Sequence, residues 1–235
     1  MLNIIYSIYN PKPHVIETHL NNWKSYGDLL EKVNIILIDD GSILPIDFEI
    51  DFPINLTIAR IKEDIYWNVG GAQNLGHYLA NDDWCFSTDI DHILTKESCN
   101  KLFDYNKESG NVYWFIRIKD NKVYKQHQNT FLIHKKDYNK IDGYDEDLSG
   151  NGGYNDALII AKMQYYKLKF VNTDILVHLN ENLSLNTKEY FKKGVPVNYQ
   201  KFVSKVNEMQ KGTYKQKSIL NFNWKIVSTK RSTKI

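Results

Sequence analysis

Residues 84–94 read WCFSTDIDHIL, an apolar run ending in two carboxylates one residue apart, Asp89 and Asp91, before Ile93 and Leu94 resume it. A buried strand that ends this way concentrates negative charge at the carboxyl edge of a sheet. That is costly unless a cation shares the site. A divalent metal bridging the carboxylates to a nucleotide diphosphate resolves the repulsion and leaves a site for group transfer. The same spacing recurs at Asp145 and Asp147, so the pattern gains meaning only from its surroundings.

Upstream, residues 2–9 form an Ile- and Tyr-rich apolar run stopped by Asn10-Pro11, and residues 33–38 form a second, ending at Asp39-Asp40-Gly41-Ser42. A third strand is expected over Leu56–Ile61. Helices are expected over Val15–Leu30, where Val15, Ile16, Leu20 and Trp23 recur at helical spacing, and over about Gly70–Leu79. Nearly continuous apolar strands alternating with helices indicate an α/β fold with a mixed, mainly parallel sheet covered on both faces. Ligands of such sheets sit beyond the carboxyl ends of the strands. Tyr9, Asp40 and Asp89 therefore share one rim.

Downstream, Val112–Ile118 and Val123–Gln126 read as a hairpin turned at Asp120-Asn121, with a short strand at Phe131–Ile133. Residues 140–155 are a Gly- and Asp-rich loop. A helix over about Asn155–Lys167 and a strand over Phe170–Val177, ending at His178, follow. An amphipathic helix is expected near Tyr199–Met209. The division is a single Rossmann-like domain over 1–185 and a C-terminal helical extension with a basic tail over 186–235. The tail, from Lys211 on, carries Lys215, Lys217, Lys225, Lys230, Arg231 and Lys234 beside Phe222 and Trp224. Three arrangements suit it: contact with an anionic membrane, a solvated tail or an oligomer contact.

At 235 residues, 42% hydrophobic and 25% charged, the chain fits one globular domain or a domain with an appendage. A net charge of +2 gives no global pull toward nucleic acid, and no apolar run is long enough to span a bilayer. The opening residues 2–6 are too short and too polar at Asn3 for a signal-peptide core. Cys85 and Cys99 lie outside any metal-binding spacing and read as free thiols. A cytoplasmic protein is expected, with peripheral contact at the inner membrane face if the tail supplies it.

The order of these pieces resembles the GT-A-fold glycosyltransferases. IIYSIYN (4–10) and VNIILIDDGS (33–42) are similar to the family 2 type. WNVGGAQNLGHYLANDDWCFSTDIDHI (67–93) and GYDEDLSGNGGYNDAL (143–158) are similar to the β-1,4-galactosyltransferase group. The resemblance covers roughly residues 2 to 180. It implies a metal-dependent transferase that moves a hexose (galactose, glucose or an N-acetyl form) from a UDP-sugar to a hydroxyl of a glycan, glycolipid or other glycoconjugate. Ser7 and Tyr9 match positions around the uracil, where a tyrosine offers a stacking face, and Asp40 matches the carboxylate that accepts from the uracil N–H. Asn68, Gly70 and Gly71 match the nucleotide and diphosphate region, at a helix N-terminus suited to phosphate. Asp89 matches the carboxylate near ribose and metal, Asp91 the direct metal ligand, and His178, in ILVHLNEN (175–182), the histidine completing the metal site. Mn²⁺ or Mg²⁺ suits that donor set.

One departure stands out. Inverting relatives carry an acidic pair after Gly-Gly, one acid serving as general base, whereas this chain reads Gly152-Gly153-Tyr154-Asn155-Asp156. Asn155 cannot take a proton, so Asp156 is the expected base, with Asp145 and Asp147 as alternatives. Retaining relatives also carry Gly-Gly-x-Asn here, which keeps retention open. A catalytically silent UDP-sugar- or glycan-binding protein on the same fold is the other reading. Trp114 and Tyr154 are candidate sugar platforms, and Arg60 and Lys62 could face a diphosphate. A nucleotidyltransferase would want a Gly-rich basic loop where Asn10-Pro11-Lys12-Pro13 stands, and no G-x-G-x-x-G follows the first strand.

Overall fold

The computed structural model describes residues 1–184, 188–216 and 219–232, with the backbone alone for 188–194. In chain order the elements are β1 (Leu2–Ile8), α1 (Pro13–Ser25), β2 (Val33–Asp39), β3 (Leu56–Ile61), α2 (Val69–Leu79), β4 (Trp84–Asp89), β5 (His92–Ile93) and α3 (Lys96–Asp104). They continue with β6 (Asn111–Lys119), β7 (Lys122–Tyr124), β8 (Phe131–His134), α4 (Lys135–Lys140), α5 (Asn155–Tyr165), β9 (Lys169–Leu179), α6 (Lys188–Gln210) and β10 (Trp224–Lys230).

All the strands join one sheet in the order β10-β3-β2-β1-β4-β8-β6-β9-β5, with β7 paired to β6. The β3-β2-β1-β4 half is parallel. Beyond β4 the sheet is mixed: β8 runs antiparallel to β4 and β6, while β9 runs parallel to β6. The continuous apolar runs of β1 and β2 follow from burial on both faces. Ile4, Tyr6 and Ile8 face one core with Ile35 and Leu37, while Ile5 faces another with Ile36 and Ile38.

Helix α1 starts with Pro13 in its first turn, where the missing N–H costs nothing. It buries Val15, His19 and Trp23, an i, i+4, i+8 stripe. Helix α2 is buried nearly all round from Gly70 to His77, because the sheet lies beneath it and the loop at 138–146 lies above. Its small residues permit that double burial. The β6–β7 hairpin turns at Asp120 and Asn121, both at positive φ (48° and 59°), as a two-residue turn matched to strand twist requires.

The tail takes a course that its charges did not suggest. Residues 224–230 form β10, antiparallel to β3 at the sheet edge, with a bulge between Ile226 and Ser228. The sequence reading put no strand there, because alternating Lys, Ser and Thr fit an exposed edge as well as a coil. Helix α6 runs through Pro196 and packs on α5. The expected boundary at 185/186 and the residues Lys217 and Lys234 lie outside the described residues. Among the described residues no helix is long and apolar enough to cross a membrane.

Candidate active site

Asp89 closes β4 beside Ser7 of β1 in the register, and Asp91 follows one residue on. The turn between them is pinned from below. His19 in α1 lies 2.7 Å from the Ile90 carbonyl, and Tyr26 and Asn22 donate to the Leu94 carbonyl at 2.5 and 3.0 Å. Burial pushes His19 down to about 4, so its ring is neutral at pH 7 and Nε2 is the donor to Ile90.

Two histidines flank the carboxylates. His92 Nδ1 lies 2.6 Å from Asp91 Oδ1, and His127 Nε2 lies 3.5 Å from Asp89 Oδ2; the two rings are 4.6 Å apart. Burial, and then the charge of Asp91, push Asp89 up to about 6. Burial also acts upward on Asp91, but pairing with His92 outweighs it and leaves that carboxyl below its ordinary value. Burial, and then the His92 field, lower His127 to about 4.

The third acid of the cluster is Asp156, in the first turn of α5. Burial and then the neighbouring Asp89 charge raise its pKa, while His127 acts in the opposite sense. Asn129 lies between His127 and Thr130, which meets Thr88 of β4 at 2.8 Å, and its side chain favours the charged form of both carboxyls. The Tyr144 hydroxyl donates to Asn129 Oδ1 at 3.1 Å. Arg117 adds positive field at Asp89 and Asp91.

Along the rim, Asp40 is buried and accepts from Asn68 Nδ2 at 3.1 Å. Burial raises its pKa to about 7, with Asp39 adding to the rise. Asn68 Oδ1 in turn accepts from Ser149 at 2.7 Å. One side chain thus ties the end of β2 to the Gly-rich loop. Tyr9 donates to Asp64 at 3.1 Å. Gly41 sits at φ +78°, with the Glu63 backbone where a Cβ would stand, so the turn after Asp40 admits only glycine.

Of the other expected residues, Asp145, Asp147, Arg60, Tyr154 and Trp114 are engaged elsewhere. His178 lies in β9 opposite Ile93, one register step from the Leu179–His92 pair, and so faces away from His92. None of the described residues hydrogen bonds to its imidazole or ion-pairs with it. Asp145 and Asp147 are bridged by Lys205 at 2.7 and 2.9 Å. Arg60 pairs with Asp39 at 3.0 Å and also donates to the Ser42 carbonyl. Tyr154 stacks on Phe202 of α6, and Trp114 packs edge-on against Phe170. Asn155 is buried, and its Nδ2 has no partner among the described residues.

The site residues that sequence reasoning missed are His92, His127 and Asn129. The last two come from the aperiodic stretch 126–130, which the antiparallel pairing of β8 with β4 brings to the end of β4. Among the described residues no group of three or more His, Cys, Asp and Glu side chains converges tightly enough to hold a metal by itself. The donors present still suit a cation that draws its remaining oxygen ligands from a bound diphosphate. Asp91 Oδ1 is buried with no aligned hydrogen bond, and carboxylate with imidazole is a Mn²⁺-type set.

Solved structures share this architecture. Residues 1–349 of TarS from S. aureus, in complex with UDP-GlcNAc, superpose with a TM-score of 0.68 at 11% identity, covering 88% of this chain and 66% of that one. The mannosyltransferase PcManGT from Pyrobaculum calidifontis, in complex with GDP-Man and Mn²⁺, gives 0.56 at 12% identity, covering 75% and 56%. The chain has the GT-A glycosyltransferase fold. It spans no more than 66% of the length of either of these chains, and at such identities the likeness carries the fold alone. No protein-family model matches the chain, and no curated protein matches it by sequence.

Proposed function

We propose that this GT-A chain is a metal-dependent glycosyltransferase moving a hexose from a UDP-sugar to a hydroxyl of a glycan or glycoconjugate. Inversion, with Asp156 as base, is the reading its residues support best. The observation that carries this is the grouping of Asp89, Asp156 and Asn129 at the carboxyl edge of the sheet, beside Asp91. Asp145 and Asp147, the alternative bases, are both engaged by Lys205.

The roles follow from chemistry. Tyr9, Ser7 and Asp40 form the nucleoside end, with Asp40 accepting from a base N–H and Asn68 fixing its carboxylate. Asp91 and Asp89, with His127 rather than His178 as the imidazole at hand, would hold Mn²⁺ or Mg²⁺. The metal's contribution is to neutralise charge on the departing nucleoside diphosphate. Asp156 would take the proton of the acceptor hydroxyl. A raised pKa suits that task, since a base works best when its pKa approaches the working pH.

UDP release from UDP-sugars with a glycan acceptor, with and without Mn²⁺, tests this reading. Metal-dependent release that is lost in Asp156→Asn, with UDP-sugar binding intact, is the expected result. Donor binding with no release under any acceptor would point to a silent binding protein. Retention is the second reading, favoured by Asn155 at the family's usual base position. The anomeric configuration of the product separates the two.

A further inference from the structure

The C-terminal segment before β10 does more than extend the sheet. Leu220 N donates to Glu146 Oε1 at 2.8 Å, while Asn221 N and Asn221 Nδ2 donate to Glu146 Oε2 at 3.1 and 3.2 Å. Glu146 Oε1 also accepts from Asn74 Nδ2 of α2 at 2.8 Å. The Asn74 carboxamide is fully engaged. Its Nδ2 also reaches the Tyr144 carbonyl at 3.0 Å, and its Oδ1 accepts from Tyr144 N at 2.8 Å and Tyr138 Oη at 2.7 Å. Tyr144 then donates to Asn129 at 3.1 Å, in the loop where His127 lies 3.5 Å from Asp89 Oδ2 and Thr130 lies 2.8 Å from Thr88.

We propose that Glu146 is a positioning residue, through which the C-terminal segment fixes the orientation of Asn129 beside the Asp89 end of β4. From Asn74 through the Tyr144 backbone and hydroxyl to Asn129 the links are hydrogen bonds in a low-dielectric interior, where each polarises the next and slack is costly. Asn74, Tyr144 and Asn129 are exposed by 1%, 1% and 8%. Without the Tyr144 hydroxyl, Asn129 loses the donor to its carbonyl oxygen. Without Glu146, the strap and Asn74 lose their common acceptor, and the backbone at Tyr144 loosens. The strap has a second, independent anchor: Asn223 N and Nδ2 donate to Glu63 at 3.0 and 2.6 Å. That anchor touches nothing in the series and supplies a control.

The inference rests on the proposed transferase reading for its kinetic consequence but not for its structural one. Full-length Tyr144→Phe, Glu146→Ala, Glu146→Gln and Glu63→Ala are compared. The first readout is the side-chain amide resonance of Asn129, assigned by its loss in Asn129→Asp. Tyr144→Phe and Glu146→Ala should each shift it and speed its hydrogen exchange about tenfold or more, with Glu146→Gln intermediate and Glu63→Ala unchanged. The second is turnover: kcat should fall about tenfold to a hundredfold, the scale of misplaced catalytic groups, with the donor KM within about twofold. An Asn129 resonance that moves in Tyr144→Phe but not in Glu146→Ala would overturn the role of Glu146. One that moves in neither would overturn the whole series. Resonance changes in a protein that turns over no nucleotide sugar would uphold the positioning role and remove the transferase reading instead.

Discussion

The proposed reaction assigns proton removal to Asp156 and metal binding to Asp91, and single substitutions should separate the two roles. Asp156→Asn keeps shape and removes the proton acceptor, so kcat should fall by about 10²–10⁴-fold, with UDP-sugar affinity within a few-fold by calorimetry. Asp91→Ala should abolish the Mn²⁺ dependence of donor binding while thermal unfolding stays close to wild type. Equal affinity with and without Mn²⁺ in the wild type would remove Asp91 from the metal's neighbourhood. At this scale the sequence was partly legible. Asp40, Asn68, Asp89 and Asp91 end strands or open a helix, and strand ends can be read from hydrophobic runs. Asn129 and His127 were not, because nothing in Gln126-His127-Gln128-Asn129-Thr130 marks which loop residue will face β4. His178 was legible as the end of a strand, but its side of the sheet depends on a register that runs through an irregularity between Trp114 and Ile116. A one-residue difference there reverses the face.

Helix α2 is the element whose packing the site most depends on. A Cβ at Gly71 would collide with Asn68 Oδ1 and press on Phe222. Gly71→Ala should therefore displace the carboxamide that joins Asp40 to Ser149. Overpacking of this kind costs about 1–3 kcal/mol, to be read as a lowered Tm. UDP affinity should fall with it, whereas a variant with lowered Tm and unchanged UDP affinity would detach Asn68 from the nucleotide end. The glycines were visible in sequence only as a helix start suited to phosphate. Their packing role needed Phe222, some 150 residues away in the chain, to be in view. The helix limits, by contrast, were close to legible, since α2 and α5 each start within a residue of the expected position.

Across the whole molecule, the C-terminal third closes over the loop that carries the site. Lys162 of α5 is fully buried there and donates to the Asp142 carbonyl at 3.4 Å, to the Gly143 carbonyl and to Gln216. Burial lowers its pKa to about 7, against roughly 10.4 in an unfolded chain. Between these values the unfolded state binds more protons, so this group makes stability rise with pH from about 7 upward. Buried Cys85 and Cys99, both raised to about 12, work against it above roughly 8.5, where free thiols ionise. Tm should therefore climb between pH 7 and 8.5, and Lys162→Met should flatten that slope; an unchanged slope would show Lys162 to be charged in the fold. None of this was legible in sequence, because Lys162 occupies one position of a helix whose other residues read as ordinary, and it meets Gln216 from the C-terminal segment.

The central claim is that a nucleotide sugar is bound and activated at the edge formed by Asp40, Asp89, Asp91 and Asp156. Its most direct measurement is UDP release from a panel of UDP-sugars, with and without Mn²⁺, for the wild type beside Asp91→Ala. Metal-dependent release from one donor, lost in the variant, is the expected result. Failure of the wild type to bind or cleave any UDP-sugar in the presence of Mn²⁺ would contradict it.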